Sequence, residues 1–143
     1  MDFNAKQMKE DALIKEGRYQ FRVKDAREKR SSSGNDMLNL QLWLNVNGRR
    51  VLYFDSLILT PKMFWKVEHF CQATGMPEKI DQGRLMAQDC FEREGWIDII
   101  QKIDKESGEL VNQTKDYVKP ESSDAVPVND ESGSFDDELP NFS

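Results

Sequence analysis

A mainly β fold, a single small barrel with one helix, is what three features of the sequence predict. They are the strictly alternating Leu38, Leu40, Leu42 and Leu44, the hairpin dipeptide Asn47-Gly48, and one capped helical segment lying between strand-like stretches. A chain of 143 residues, 38% hydrophobic, accommodates one modest core and flexible ends.

Residues 1–16 mix Lys, Glu and scattered apolar groups (Met8, Leu13, Ile14), the pattern of an arm or short helix that Gly17 ends. In the first strand, 18–30, Tyr19, Phe21 and Val23 alternate with Arg18, Gln20, Arg22 and Lys24. Ser31-Ser32-Ser33-Gly34-Asn35 is turn chemistry. The second strand, 37–46, sets Leu38, Leu40, Leu42, Leu44 and Val46 on one face and Asn39, Gln41, Trp43 and Asn45 on the other. Trp43 is thus the only large apolar group on a polar face. Asn47-Gly48 leads to a third strand, 50–58, too continuously apolar for its parity to be read. Thr60-Pro61 is an N-cap followed by Pro at the first helical position, and Gly75 supplies the stop. The helix between them offers Phe64, Val67 and Cys71, with Met63 and Phe70, to the barrel bottom. Strands four (96–103) and five (110–118) flank the turn Lys105-Glu106-Ser107-Gly108. Three strands, a helix and a hairpin is the element order of the five-stranded Greek-key OB barrel, here spanning 17–119. Residues 120–143 are rich in Ser, Asp, Glu and Pro and are expected to form a disordered acidic tail.

The charge distribution decides which partners are feasible. The net charge of −6 is unfavourable for nucleic acid, yet 120–143 holds seven acids and no Lys or Arg, so residues 1–119 carry a net of +1. Segment 18–30 contains six basic and two acidic residues. Single-stranded nucleic acid is held by cations that track phosphates and rings on which bases stack, both on one surface. Arg18, Arg22 and Lys24 on the first strand, Arg27, Lys29 and Arg30 toward its end, and Trp43 on its neighbour form such a set. Arg49 at the hairpin extends it, and Tyr53 joins if Leu52 and Phe54 point inward. Trp96 and Tyr117, in the last hairpin, are candidates whose facing the pattern leaves open. The structural alternatives are that Trp43 packs under a loop or against another subunit and that the basic run is a solvated strand face. Trp65 is assigned to core or interface.

Phe135-Asp136-Asp137-Glu138-Leu139-Pro140-Asn141-Phe142-Ser143 couples acids to apolar anchors, a combination suited to a basic-rimmed hydrophobic pocket on a partner or, alternatively, to a merely solubilising tail. No HExxH, nucleophile elbow, P-loop or dinucleotide loop occurs, and Cys71, Cys90 and the single His69 lack metal-ligand spacing. No enzyme, cofactor or metal is expected. The charged N-terminus and the absence of a long apolar run predict a cytoplasmic location without a membrane span.

Glu16-Gly17-Arg18-Tyr19, Ala26-Arg27-Glu28-Lys29 and Ser32-Ser33-Gly34-Asn35-Asp36-Met37-Leu38 resemble the opening of a family of small phage and prophage proteins. The likeness continues through Asp55-Ser56-Leu57, Trp65-Lys66-Val67, Phe70-Cys71, Arg93-Glu94-Gly95, and Asn112 ahead of Tyr117. It implies an OB-fold single-stranded-DNA-binding protein of phage replication and recombination. The ending looks like the acidic tip of bacterial and phage single-stranded-DNA-binding proteins, which implies recruitment of replication, recombination and repair proteins. Departures are Ser33, Glu92 where glycine is expected, and Ser143 after the last Phe. The competing expectation is an OB-fold adaptor that contacts protein and no DNA; a metal-dependent nuclease comes third. Whether the chain forms a homodimer, and whether it prefers DNA or RNA, the residues leave open.

Overall fold

The computed structural model describes residues 1–119. Five strands, β1 (Gly17–Arg30), β2 (Asp36–Val46), β3 (Arg49–Ile58), β4 (Glu94–Ile103) and β5 (Leu110–Val118), make one antiparallel sheet in the order β3-β2-β1-β4-β5. β2 is central to the core: Leu38, Leu40, Leu42 and Leu44 are each at most 1% exposed, as strict alternation requires. The Asn47-Gly48 turn pairs Val46 with Arg49 and so fixes the whole β2–β3 register. Asn47 and Gly48 both have positive φ, 54° and 82°, as a two-residue hairpin turn demands.

β1 carries an irregularity that periodicity does not reveal. Its register against β2 shifts between Val23 and Asp25, with Lys24 as the extra residue, so the buried side passes from Phe21 and Val23 to Ala26. Opposite this bulge the chain entering β4 completes the pairing, with Val23 N–H donating to the Arg93 carbonyl (2.8 Å) and Glu92 N–H to the Val23 carbonyl (3.1 Å). Glu92 adopts φ 61° there, which explains why glycine suits this position.

Between β3 and β4 lie a 3-10 turn (Pro61–Met63) and three helices, α2 (Phe64–Ala73), α3 (Glu78–Gln82) and α4 (Ala87–Cys90), rather than the single helix expected. Thr60 caps the turn as foreseen, accepting from Met63 N–H at 3.4 Å. The tighter turn breaks the 3.6-residue phase, so Phe64 is 46% exposed and the buried face of α2 is Val67, Phe70, Cys71 and Ala73. Trp65, expected in the core or an interface, is 41% exposed and edge-on to His69, which reaches Asp116 through Nδ1 at 2.8 Å. Phe21, Phe70 and Tyr117 form a mutual aromatic cluster, with centroids 5.0–6.4 Å apart, joining sheet to helix.

The N-terminal segment forms helix α1 (Ala5–Asp11), capped by Asn4. Its continuation docks on the last hairpin, where Asn112 accepts from Ile14 N–H and donates to the Ile14 carbonyl, both at 2.8 Å. Among the described residues no helix is long and apolar enough to cross a membrane.

No backbone ladder joins the edge strands β3 and β5 among the described residues; side chains do so instead. Tyr117 Oη donates to Asp55 Oδ2 at 2.6 Å, and Thr114 Oγ1 donates to the same oxygen at 3.0 Å. Since the Thr114 proton is thereby used, Tyr53 must donate to Thr114, 2.8 Å away. Lys66 Nζ caps Asp55 Oδ1 at 2.7 Å.

Candidate nucleic-acid interface

Each outward residue of β1, β2 and β3 takes its place from the pairing register. Three cross-strand rows result: Arg22, Trp43 and Leu52; Asp25, Gln41 and Phe54; Arg27, Asn39 and Ser56. Lys29 and Met37 continue the series beside Ile58, and Asn45 with Arg50 lies at the opposite end. The bulge at Lys24 is what brings Arg27 and Lys29 to this face; an uninterrupted strand would turn both inward.

Phe54 is 64% exposed and is the most open ring on the face. It is diagonal to Trp43, a spacing within reach of aromatic side chains. Trp43 is partly buried, with the Arg50 guanidinium 4.7 Å and the Lys24 ammonium 5.8 Å from its ring centre. A groove of about 680 Å³ runs beside Phe54, lined among others by Arg27, Lys29, Asn39, Gln41 and Lys66. Lys29 makes no ion pair among the described residues, and Arg27, 72% exposed, meets Asp25 at 3.1 Å.

The β1–β4 half of the same face is electrostatically different. Arg18 forms two hydrogen bonds with Asp98 (2.8 and 3.2 Å), and Arg22 is held by Glu94 through Nε at 2.7 Å and through Nη2. Both acids lie directly across the strand pair from their arginines. Trp96, between them and opposite Gln20, is partly buried on this outer face. The expected stripe of Arg18, Arg22 and Lys24 therefore divides: the first two are charge-matched by β4, whereas Lys24 belongs to the Trp43 cluster.

Four expected site residues are placed elsewhere. Tyr53 is 8% exposed because Asn47-Gly48 pairs it with the inward Leu42, which puts Leu52 and Phe54 outward instead. Tyr117 is 1% exposed in the aromatic cluster. Arg49 pairs with Val46, on the inward parity, and Arg50 takes the outward position assigned to it. Arg30 lies off the groove as well: 74% exposed, it donates to the Gly34 carbonyl at 3.0 Å and ties the β1–β2 loop. Phe54, Arg50 and Lys66 are the residues the alternation pattern missed. The hairpin turn contained the signal for the first two, since a two-residue loop dictates the parity of β3.

Burial sets the proton affinities at this edge. It pushes the Tyr53 hydroxyl up to about 12, and burial and the neighbouring Asp55 carboxylate raise Tyr117 well above the usual range. The Cys71 and Cys90 thiols, both buried, are raised to about 11 and about 12, chiefly by loss of solvent. Among the described residues no group of three or more His, Cys, Asp or Glu is arranged to hold a metal ion.

The tip residues Phe135, Asp136, Asp137, Glu138, Leu139, Pro140 and Phe142 lie outside the described residues. No curated protein matches the chain. Residues 1–126 match the family model described as "Protein of unknown function (DUF669)", and the chain belongs to that family.

Proposed function

We propose that the chain is an OB-type single-stranded-DNA-binding protein of phage replication and recombination, whose acidic tail engages partner proteins. The observation that carries this reading is the juxtaposition of Phe54 and Trp43 with Lys24, Arg27, Lys29 and Arg50 on the outer face of β1–β2–β3. The strand 2–3 face is where OB folds bind oligonucleotides. The order β3-β2-β1-β4-β5, with β3 and β5 bridged by side chains, fits a Greek-key barrel that is partly open between those two strands.

In this mechanism one base stacks on Phe54 while its phosphates lie along Arg27 and Lys29. A neighbouring base packs at Trp43 against the planar Arg50 guanidinium, itself a stacking surface. Stacking accepts any base, so binding is sequence-tolerant, with each stacked base contributing about 1–3 kcal/mol. Asn39, Gln41 and Ser56, among the residues lining the groove, offer hydrogen bonds to base edges without a fixed code.

The test is a tryptophan-fluorescence titration with single-stranded DNA, duplex DNA and RNA at two salt concentrations. The proposal expects tightest binding to single-stranded DNA, weakening by about 0.7 log units per log unit of salt for each phosphate neutralised. Unchanged fluorescence with every nucleic acid would favour the adaptor reading instead.

A further inference from the structure

A second concavity, separate from the groove beside Phe54, lies between the start of α2 and the α3 region. It measures about 330 Å³ and is walled by Leu59, Phe64, Val67, Ile80 and Leu85. Leu59 and Phe64 are 39% and 46% exposed, so an apolar surface faces solvent here. Two cations stand on its rim, Lys79, which also meets Asp89 at 3.4 Å, and Arg84, which has no ion pair among the described residues.

We infer that this groove is a docking site for the chain's own segment Phe135–Phe142, held in cis. The segment is complementary in kind and order: Asp136, Asp137 and Glu138 are flanked by Phe135 on one side and Leu139, Pro140 and Phe142 on the other. Acids beside Lys79 and Arg84 place the flanking apolar groups over the Phe64 and Ile80 walls. The cationic β face is the competing receptor, its groove lined by Phe54, Ile58 and Met63 as well as by Asn39, Gln41 and Ser56. Reach is ample. The described fold ends just beyond β5, which packs against α2, one wall of the groove. Phe135 is seventeen residues beyond Val118, a maximum reach of about 56–61 Å, against a radius of gyration of about 13–14 Å for a fold of this size. Tethering on this scale gives an effective concentration of about a millimolar, enough to populate a weak contact. The groove is distinct from the proposed DNA face, and the inference stands whether or not the chain binds nucleic acid.

The experiment uses the full chain with Ser134→Cys carrying a nitroxide. Because Cys71 and Cys90 are buried, the new thiol takes the label selectively. Amide NMR signals of Ile80, Gly83, Arg84 and Leu85 are expected to lose intensity severalfold. Phe142→Ala with Leu139→Ala, or Arg84→Glu alone, should restore them. Added oligo-dT should leave the broadening in place. Broadening at Arg27, Lys29 and Phe54 in place of the α3 signals, or none anywhere, overturns the inference. Broadening transferred to unlabelled partners in a mixed isotope sample would show a second copy as the donor and overturn docking in cis. None of these outcomes depends on the DNA titration, so the two proposals fail separately.

Discussion

Replacing Asp55 by Asn tests the seam that joins the two sheet edges. Its carboxylate is 10% exposed and accepts from Lys66, Thr114 and Tyr117, besides the backbone N–H of Ser56. The substitution keeps the shape but leaves the Lys66 ammonium, 12% exposed, without its counter-charge. Removing one member of such a buried pair costs about 3–5 kcal/mol. In a fold of this size that lowers the melting temperature by on the order of 10–20 °C. Urea unfolding should show a lower midpoint at unchanged slope, the sign of lost stability without a change in exposed surface. Lys66→Met should couple to it, the double variant losing at least about 1 kcal/mol less than the sum. If Asp55→Asn cost less than about 1 kcal/mol, the range of exposed pairs, the carboxylate would not be what holds β3 to β5.

Phe54→Ala, at a 64% exposed position, should change stability by no more than about 0.5 kcal/mol yet weaken single-stranded-DNA binding about five- to hundredfold. Arg50→Ala should weaken binding measurably and Arg49→Ala should not, a contrast that fluorescence titration of both variants decides. Gly95→Ala would place a Cβ 2.8 Å from the Ala73 carbonyl oxygen and 3.1 Å from the Phe21 ring; calorimetry should show a loss of about 1–3 kcal/mol, where an unhindered strand site would gain stability. Because burial raises Tyr53 and Tyr117 above 10.0, and the thiols above 9.0, the unfolded chain releases these protons first as pH rises. Stability should therefore be at its full value below about pH 9 and fall steadily toward pH 12, with Tyr53→Phe flattening the fall; a urea midpoint that is level over that window contradicts the burial argument.

Much of this fold could be read from side-chain alternation, because in β2 the alternation is complete: each leucine faces the core and each intervening residue faces out. The turn at Gly108 likewise marks the start of β5, which runs from Leu110 to Val118 as its apolar pattern predicts. The candidate site is less legible in the sequence, for two physical reasons. In β3 the run Val51-Leu52-Tyr53-Phe54 is apolar on both faces, so hydropathy cannot orient it and only the turn geometry does. In β1 the bulge at Lys24 reverses parity with no glycine or proline to mark it, and the cations beyond it change sides. Ion pairing is likewise invisible in local sequence: Asp98 and Glu94 meet Arg18 and Arg22 only through the long-range β1–β4 register.

The seam and the candidate face are two sides of one edge strand. Along β3, Tyr53 and Asp55 turn inward to β5 while Phe54 and Ser56 turn outward to the groove. Among the described residues β3 has no backbone partner on its outer side, and an edge strand of that kind is prone to local opening. Here a buried carboxylate, two tyrosyl hydroxyls, a threonine and a lysine replace the missing ladder, and they do so at the residues that bracket the most exposed ring of the face. If bases stack on Phe54 as proposed, holding the strand on either side of it beforehand removes part of the entropy that binding would otherwise have to offset. On the proposed function, loss of the seam should therefore weaken ligand binding even under conditions where the sheet remains folded, whereas loss of the Phe54 ring should weaken binding and leave the seam intact.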